Sequence, residues 1–360
     1  MKIGIILHPF DEKKPAGLGR YILELTKNLV ESDSKNEFII YLKNKPKNPI
    51  TFSGNNWHVE VLGFGKFWRE LGLLFAPKSD IYIFNTPIMP FFLKPRKSIV
   101  IALDYAYKYF EPRDMKESFR NFVLFKMNKF ALGRASKIVA ISEFTKKETI
   151  KLFGIKKEKI EVIYPGFNNI CSISETAINL PKKFFLYVGV LKERKNLLNV
   201  VKGFNEFKKN KQTDHKLVIV GKKDGWYYEK IIGFIKRENL ENEIMFLGFI
   251  SDSELSFVYK KSTVLVFPSL VEGFGFPVLE AMACGLPVIT SREGSLAEVA
   301  GEASLLIDPR DYKEISKALQ KIAPLTILSD KLKRAGISRS KQFSWQRNSS
   351  QLTELIRSLQ

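Results

Sequence analysis

With 360 residues, 12% aromatic and 27% charged, the chain is long enough for two domains that each bury a core and is not disordered. A formal charge of +20 and a pI near 9.7 imply an acidic partner or surface, and residues 1–168 hold 29 basic against 17 acidic side chains. No basic stretch has a helix-turn-helix, RNA-recognition or zinc-finger pattern, so nucleic acid ranks last, behind an anionic membrane surface or simple solvation by lysine.

The three histidines and the two distant cysteines, Cys171 and Cys284, give no metal-ligand spacing, so no metal is expected, and both thiols read as buried and inert rather than as a disulfide. No apolar run is long enough to span a bilayer. The start MKIGIILHPF is interrupted by Pro9, Asp11 and Glu12 and lacks a signal-peptide layout, which leads us to expect a cytoplasmic protein.

In chain order, the run KIGIIL (2–7) reads as a buried parallel strand. It is followed by a loop containing Gly17, Gly19 and Arg20 and by a helix with Tyr21, Leu25 and Leu29 on one face. Further apolar runs at 38–42, 59–62, 81–84, 99–103, 138–141 and 162–164 alternate with helical stretches. This alternation predicts an α/β fold with a mostly parallel sheet and ligand sites at the strands' carboxyl ends. Polar residues stand at several of those ends: His8 with Pro9, Asn85 with Thr86, Asp104, and Ser142 with Glu143. Ser142 also suits an N-cap for EFTKKETIKLFG.

Two stretches, 64–75 and 119–130, mix aromatic and basic residues. At helical spacing Phe119, Val123, Met127 and Phe130 share a face with Lys126 and Lys129 near its edge. That pattern fits either a helix packed on the sheet or one lying on a membrane surface.

Around 166–182 the periodicity stops, which marks a linker. A strand from Phe184 to Gly189 then leads through LKERKN into a helix, so Arg194 and Lys195 stand beside free helix-start amides, a suitable clamp for a diphosphate. Runs at 217–221 and 243–248 follow, and then Asp252 or Ser251 can cap a helix while Glu254 reaches back, a capping-box arrangement. The centre of this half is TVLVFPSLVEGFGFPVLEAMACGLPVITSREG (263–294). Its apolar run from Val264 to Phe267 gives way to Pro268 and Ser269, Gly273 and Gly275 bring the backbone close to a ligand, and Pro277 opens a helix with Glu280 in its first turn. After Pro309 three helical stretches remain.

Glu272 and Glu280 in EGFGFPVLE, followed by AMACGLPVIT and GSLAEVAGEASLLIDP, resemble the C-terminal signature of the retaining nucleotide-sugar glycosyltransferases of family 4, in a form similar to mannosyltransferases of surface-polysaccharide assembly. The resemblance implies the GT-B fold, two doubly wound Rossmann-like domains facing a cleft. On this reading an acceptor-side domain spans 1–168, completed by 345–360 crossing back. A linker covers 169–182 and a nucleotide-sugar domain 183–344.

The same resemblance implies a retaining hexosyltransferase that needs no cofactor, and no Asp-x-Asp metal triplet is present. Arg194 and Lys195 would grip the donor diphosphate, Glu272 a hydroxyl of the transferred sugar, and Glu280 the ribose. Gly17 and Gly19 would lie near the donor phosphates. Gly189, Gly221 and Gly248, together with Ser269, Gly273, Phe274 and Gly275, would complete the donor site, with Lys222 and Phe249 near the base. The strand ending in Asp104 resembles the family's His-Asp strand, but Leu103 stands where the histidine would be and cannot hydrogen-bond through its side chain. The expected partners are a nucleotide-diphosphate sugar, with GDP-mannose as the guess, and a glycan or lipid-linked acceptor. The alternative is a non-catalytic nucleotide-sugar-binding scaffold or subunit, which Leu103 would also explain. A dinucleotide oxidoreductase is set aside because no compact GxGxxG follows the first strand.

Overall fold

The computed structural model describes residues 1–8, 17–46, 49–171, 178–211, 213–223, 225–324 and 327–360. Pro9, named above at the end of the first strand, with Asp11 and Glu12, and residues 172–177 of the expected linker lie outside the described residues. The chain divides into two compact units, Met1–Gly166 with Phe343–Gln360, and Phe167–Gln342.

The first unit is built on seven strands: β1 (Lys2–Ile6), β2 (Glu37–Leu42), β3 (Trp57–Val61), β4 (Ile81–Phe84), β5 (Lys97–Ala102), β6 (Lys137–Ala140) and β7 (Ile160–Val162). All pair in parallel, in the order β3-β2-β1-β4-β5-β6-β7. The central runs are apolar because helices cover both faces; β4 is buried along its whole length. The order reverses between β1 and β4, where Ile3 faces Phe38 of β2 on one side and Ile81 of β4 on the other. The helix Trp345–Arg357, capped by Ser344, packs on the helix Gly17–Ser32. Its Asn348 donates to the Tyr164 carbonyl at 2.8 Å. Gly166 is required for that docking, since a Cβ there would lie 2.3 Å from the Trp345 nitrogen.

The second unit has six strands: β8 (Phe184–Val188), β9 (Lys216–Val220), β10 (Ile244–Gly248), β11 (Val264–Phe267), β12 (Val288–Ser291) and β13 (Leu305–Ile307). They too are all parallel, in the order β10-β9-β8-β11-β12-β13. One side of this sheet is filled by Phe185, Tyr187, Phe204, Phe207, Ile219 and Ile315 with their neighbours. The strand order reverses between β8 and β11. In an open parallel sheet that reversal splays the loops leaving the two strands apart and opens a crevice at their carboxyl ends.

Two expectations fail here. The Gly17–Arg20 stretch is the first turn of a helix, not the loop before it. The cysteines are not inert thiols: Cys171 and Cys284 form a disulfide with Cα atoms 5.3 Å apart. Residue 171 returns to the end of the helix Phe276–Ala283, a proximity that a separation of 113 residues conceals.

Candidate functional site

The loops leaving β8 and β11 bring two cations and a carboxylate together in the second unit. After β8 the chain makes a single turn of 3-10 helix, Glu193–Lys195, and Asn196 then takes a left-handed conformation (φ 62°) before the helix Leu197–Asn210. Asparagine tolerates that backbone, and its buried amide is useful there: it donates to the carbonyls of Pro268 (3.0 Å) and Pro309 (2.6 Å). The turn is thereby tied to the β11 loop. Two further bonds secure it, from the Leu270 amide to the Arg194 carbonyl (2.8 Å) and from the Arg194 guanidinium to the Val271 carbonyl (3.2 Å).

This scaffold brings Arg194 and Lys195 to opposite oxygens of the buried Glu272 carboxylate. Arg194 Nη1 is 3.1 Å from Oε2, and Lys195 Nζ contacts Oε1. Lys195 also lies over the Phe267 ring, 4.8 Å from its centre. Burial works to raise the Glu272 carboxyl, but Lys195 and then Arg194 outweigh it and hold the group below the usual carboxylate range. Three residues that the sequence assigned to different parts of a donor thus form one ionic cluster around the buried Glu272, carrying an excess of one positive charge.

The loop itself is fixed from behind. Ser295 donates to the carbonyls of Glu272 (2.7 Å) and Phe274 (3.2 Å), and Ser291 to the carbonyl of the buried Ser269 (2.6 Å). Gly273 and Phe274 lie between these anchors, and Gly275 caps the helix Phe276–Ala283 with φ 124°. A side chain at Gly275 would bring both strain and a Cβ 2.6 Å from Leu296. Pro277 is the second residue of this helix, not the first, so Glu280 belongs to the second turn and not to the first. Its carboxylate accepts a hydrogen bond from the buried Tyr259 hydroxyl at 3.0 Å.

Gly189, Gly221 and Gly248 mark the ends of three adjacent strands. The Gly189 amide donates to the Val220 carbonyl (2.9 Å) and the Gly221 amide to the Gly248 carbonyl (2.8 Å). Gly221 has no room for a Cβ, which would lie 1.9 Å from the Gly189 oxygen. Lys222 and the exposed Phe249 follow these ends. Among the described residues no acidic, histidine and cysteine cluster could hold a metal ion.

In the first unit the candidates are more dispersed. Gly17 and Gly19 lie in the opening turn of their helix. Asp104, just past β5, accepts from the Ala106 amide (3.2 Å) and so closes a local turn. The Leu103 carbonyl is taken by the Thr145 hydroxyl (2.9 Å), and Ser142 is a true N-cap, accepting from the Thr145 amide. His8 rests against Trp68 with ring centres 5.2 Å apart.

Sequence reasoning undervalued Asn85. It is 1% exposed at the end of β4, beside the strand-order reversal, and neither amide atom has a partner among the described residues. A buried polar group without a partner is costly, so an Asn immediately after the apolar run IYIF was the available signal. Asn196 and Tyr259 were missed for a different reason: their roles depend on partners 72 and 21 residues away.

Comparison with known proteins places this geometry. Residues 172–339 match the model for "Glycosyl transferases group 1" and residues 15–169 the model for "Glycosyltransferase Family 4". The chain is 26% identical to the O-antigen chain mannosyltransferase B of Escherichia coli over 92% of this chain and 93% of that protein. Among solved structures it resembles sucrose-phosphate synthase from Thermosynechococcus elongatus, with a TM-score of 0.79, 20% identity, and 99% and 98% of the two chains covered. It also resembles Anabaena HepE in complex with UDP-glucose, with a TM-score of 0.75, 19% identity, and 99% and 100% covered. With these matches over both units and two doubly wound parallel sheets, the chain belongs to the family 4 and group 1 glycosyltransferases of the GT-B fold.

Proposed function

We propose that this glycosyltransferase moves mannose from GDP-mannose to a hydroxyl of a glycan or lipid-linked acceptor, with retention at the anomeric carbon, at the inner face of the plasma membrane. The observation that carries the donor part is the Arg194–Glu272–Lys195 cluster at the strand-order reversal. A nucleoside diphosphate leaving group gains negative charge as the sugar–oxygen bond breaks. Two preorganised cations, the amides of the loop from Gly273 to Gly275 and the helix that begins at Phe276 are suited to that charge without a metal ion. The helix offers the positive end of its dipole to that loop.

In this reading Glu272 has two duties. Without donor it is the counter-charge that holds the two cations in place. With donor bound, the diphosphate supplies the counter-charge and the carboxylate accepts from a sugar hydroxyl, a positioning role. Glu280 binds the ribose diol once it shares the Tyr259 hydroxyl, and the departing phosphate takes the acceptor proton. Mannose as the donor sugar is supported by the resemblance to the E. coli O-antigen mannosyltransferase. The fold neighbour with UDP-glucose makes uridine the competing base.

Thermal shifts with GDP, UDP, ADP and their sugars test the donor, because a ligand that binds only the folded chain raises its melting temperature. Stabilisation by UDP-sugars and not by GDP-mannose would reassign the base. NMR of the product's anomeric proton tests retention. Leu103, where the resemblance leads one to expect histidine, favours a second reading as a non-catalytic binder. It predicts nucleotide-sugar binding with no transfer to any acceptor.

A further inference from the structure

The aromatic stretches of the first unit are not consumed by packing. In the helix Met115–Arg134 only Asn128, Ala131 and Leu132 are buried, while Phe119 is 70% exposed and Phe122 58%. A helix packed on the sheet would hide those rings; here the fold leaves the first half of its apolar side uncovered. Two other segments behave alike: Phe67 (64%) and Phe75 (77%) in the irregular helical stretch 65–75, and Phe92 (73%) in the loop after β4. Phe64 is held in a left-handed backbone (φ 59°), unusual for a bulky residue, and stacks on Phe75 at 5.9 Å.

Direct bonds join the three segments into one surface. The Glu70 carboxylate accepts from the amides of Phe91 (2.9 Å) and Phe92 (3.4 Å). The Arg134 guanidinium donates to the Phe91 carbonyl (3.0 Å), and the Phe91 ring lies 4.4 Å from that of Phe130.

The charge on this surface is one-sided. The helix carries Lys116, Arg120, Lys126, Lys129 and Arg134 against Glu117 alone, and Glu117 is bound by Arg113 and Arg120. Lys66, Lys116, Lys126 and Lys129 pair with no carboxylate among the described residues. Lys126 instead lies over the Phe122 ring, at 5.3 Å.

We propose that this face, formed by residues 64–75, Phe91–Phe92 and the exposed side of the helix Met115–Arg134, docks on an anionic lipid bilayer. The phenylalanines enter the acyl boundary and the lysines contact the headgroups. A second copy of the chain is disfavoured as the occupant because self-association would set one strongly basic helix against another. The inference deepens the membrane part of the proposed function and rests on it, but it is independent of which sugar is transferred.

The test is flotation of the full chain with vesicles of phosphatidylcholine alone and with roughly a third phosphatidylglycerol, at about 0.1 M and about 0.5 M salt. We expect binding to the anionic vesicles only, weakened by salt. The triple variant Phe75→Ser, Phe92→Ser, Phe119→Ser should bind at least tenfold more weakly, as burial of even part of each ring predicts. The pair Lys126→Glu, Lys129→Glu should lose about tenfold or more. Nucleotide-induced thermal shift should be unchanged in both, showing that the second unit is intact. Phe119→Trp gives a positive readout, a blue-shifted emission on anionic vesicles. Equal binding to both vesicle types, no binding to either, undiminished binding by the variants, or a dimer in light scattering that only the phenylalanine variant disperses would each overturn the proposal. Transfer to a soluble acceptor together with absent vesicle binding would sink this inference and leave the donor chemistry standing.

Discussion

Replacing Glu272 by Gln is the most informative single change, because it separates the stability of the ionic cluster from its use. The carboxylate is buried, with Arg194 3.1 Å away and Lys195 in contact. At that distance each pair is worth about 5 kcal/mol of gross attraction at an effective dielectric of about 20, and desolvation of three charges offsets most of it. Removing the anion while leaving both cations costs about 3–5 kcal/mol for a fully buried site. Arg194 is 27% exposed and keeps the Val271 carbonyl, and Lys195 keeps the Phe267 ring, so about 3 kcal/mol is the appropriate figure. For a domain of this size the melting temperature should fall by roughly 6–12 °C.

The donor response should go the other way. In the variant the diphosphate no longer competes with a carboxylate for the cations, so a nucleoside diphosphate should raise its melting temperature by more than it raises that of the native chain. Sugar transfer should nevertheless fall. Lys195→Met is the contrast: it should lose both stability and the nucleotide response. Scanning calorimetry with and without nucleotide reads all of this. If Glu272→Gln melted within a degree of the native chain, or if nucleotide stabilised it less, the cluster would be neither a structural unit nor a clamp held in reserve.

Gly221→Ala should cost more than about 3 kcal/mol, visible as loss of soluble protein, since its Cβ would overlap the Gly189 carbonyl. Gly248→Ala meets open space and only a left-handed backbone (φ 73°), so about 1–2 kcal/mol in urea titration is expected. Reducing the Cys171–Cys284 disulfide reopens a separation of 113 residues and should cost up to about 5 kcal/mol. Cys284→Ser should show the same loss and no further response to reductant, and a melting temperature indifferent to reductant would refute the crosslink. Burial against Phe185, 4.7 Å between ring centres, lowers the His215 pKa from 6.5. The unfolded chain then takes up the proton first, so stability should be full above pH 6.5 and decline below it, a slope absent in His215→Phe. Glu272, also lowered from 4.5, adds a second loss that begins below pH 4.5 and is complete once the pH has passed its folded value.

What could be read from the sequence was what neighbouring residues decide. Buried parallel strands are continuous apolar runs, so β4 and β11 appear with their observed limits, and the capping box at Ser251 and Glu254 is present as spelled. β13 escaped because LLI is three residues long. The helix after Gly275 shifted by one residue because Phe276 can begin a helix as readily as Pro277, and that shift alone moves Glu280 out of the first turn.

The site was legible as a set of residues but not as an arrangement. Arg194 and Glu272 attract attention separately, one at a strand-to-helix switch and the other beside two glycines. Nothing between them encodes that the carbonyl of Arg194 accepts from Leu270 or that Asn196 grips Pro268. Those bonds exist because β8 and β11 are neighbours in the sheet, and strand adjacency across 79 residues is set by the whole topology. The consequence is chemical. Were the two loops joined less firmly, the cations would be free to meet Glu272 in many geometries, and a diphosphate would have to order them as it bound. Here hydrogen bonds between the loops fix them before any ligand arrives, so the ordering cost falls on folding, and on the function proposed above a diphosphate would have only to displace one carboxylate from cations already in place.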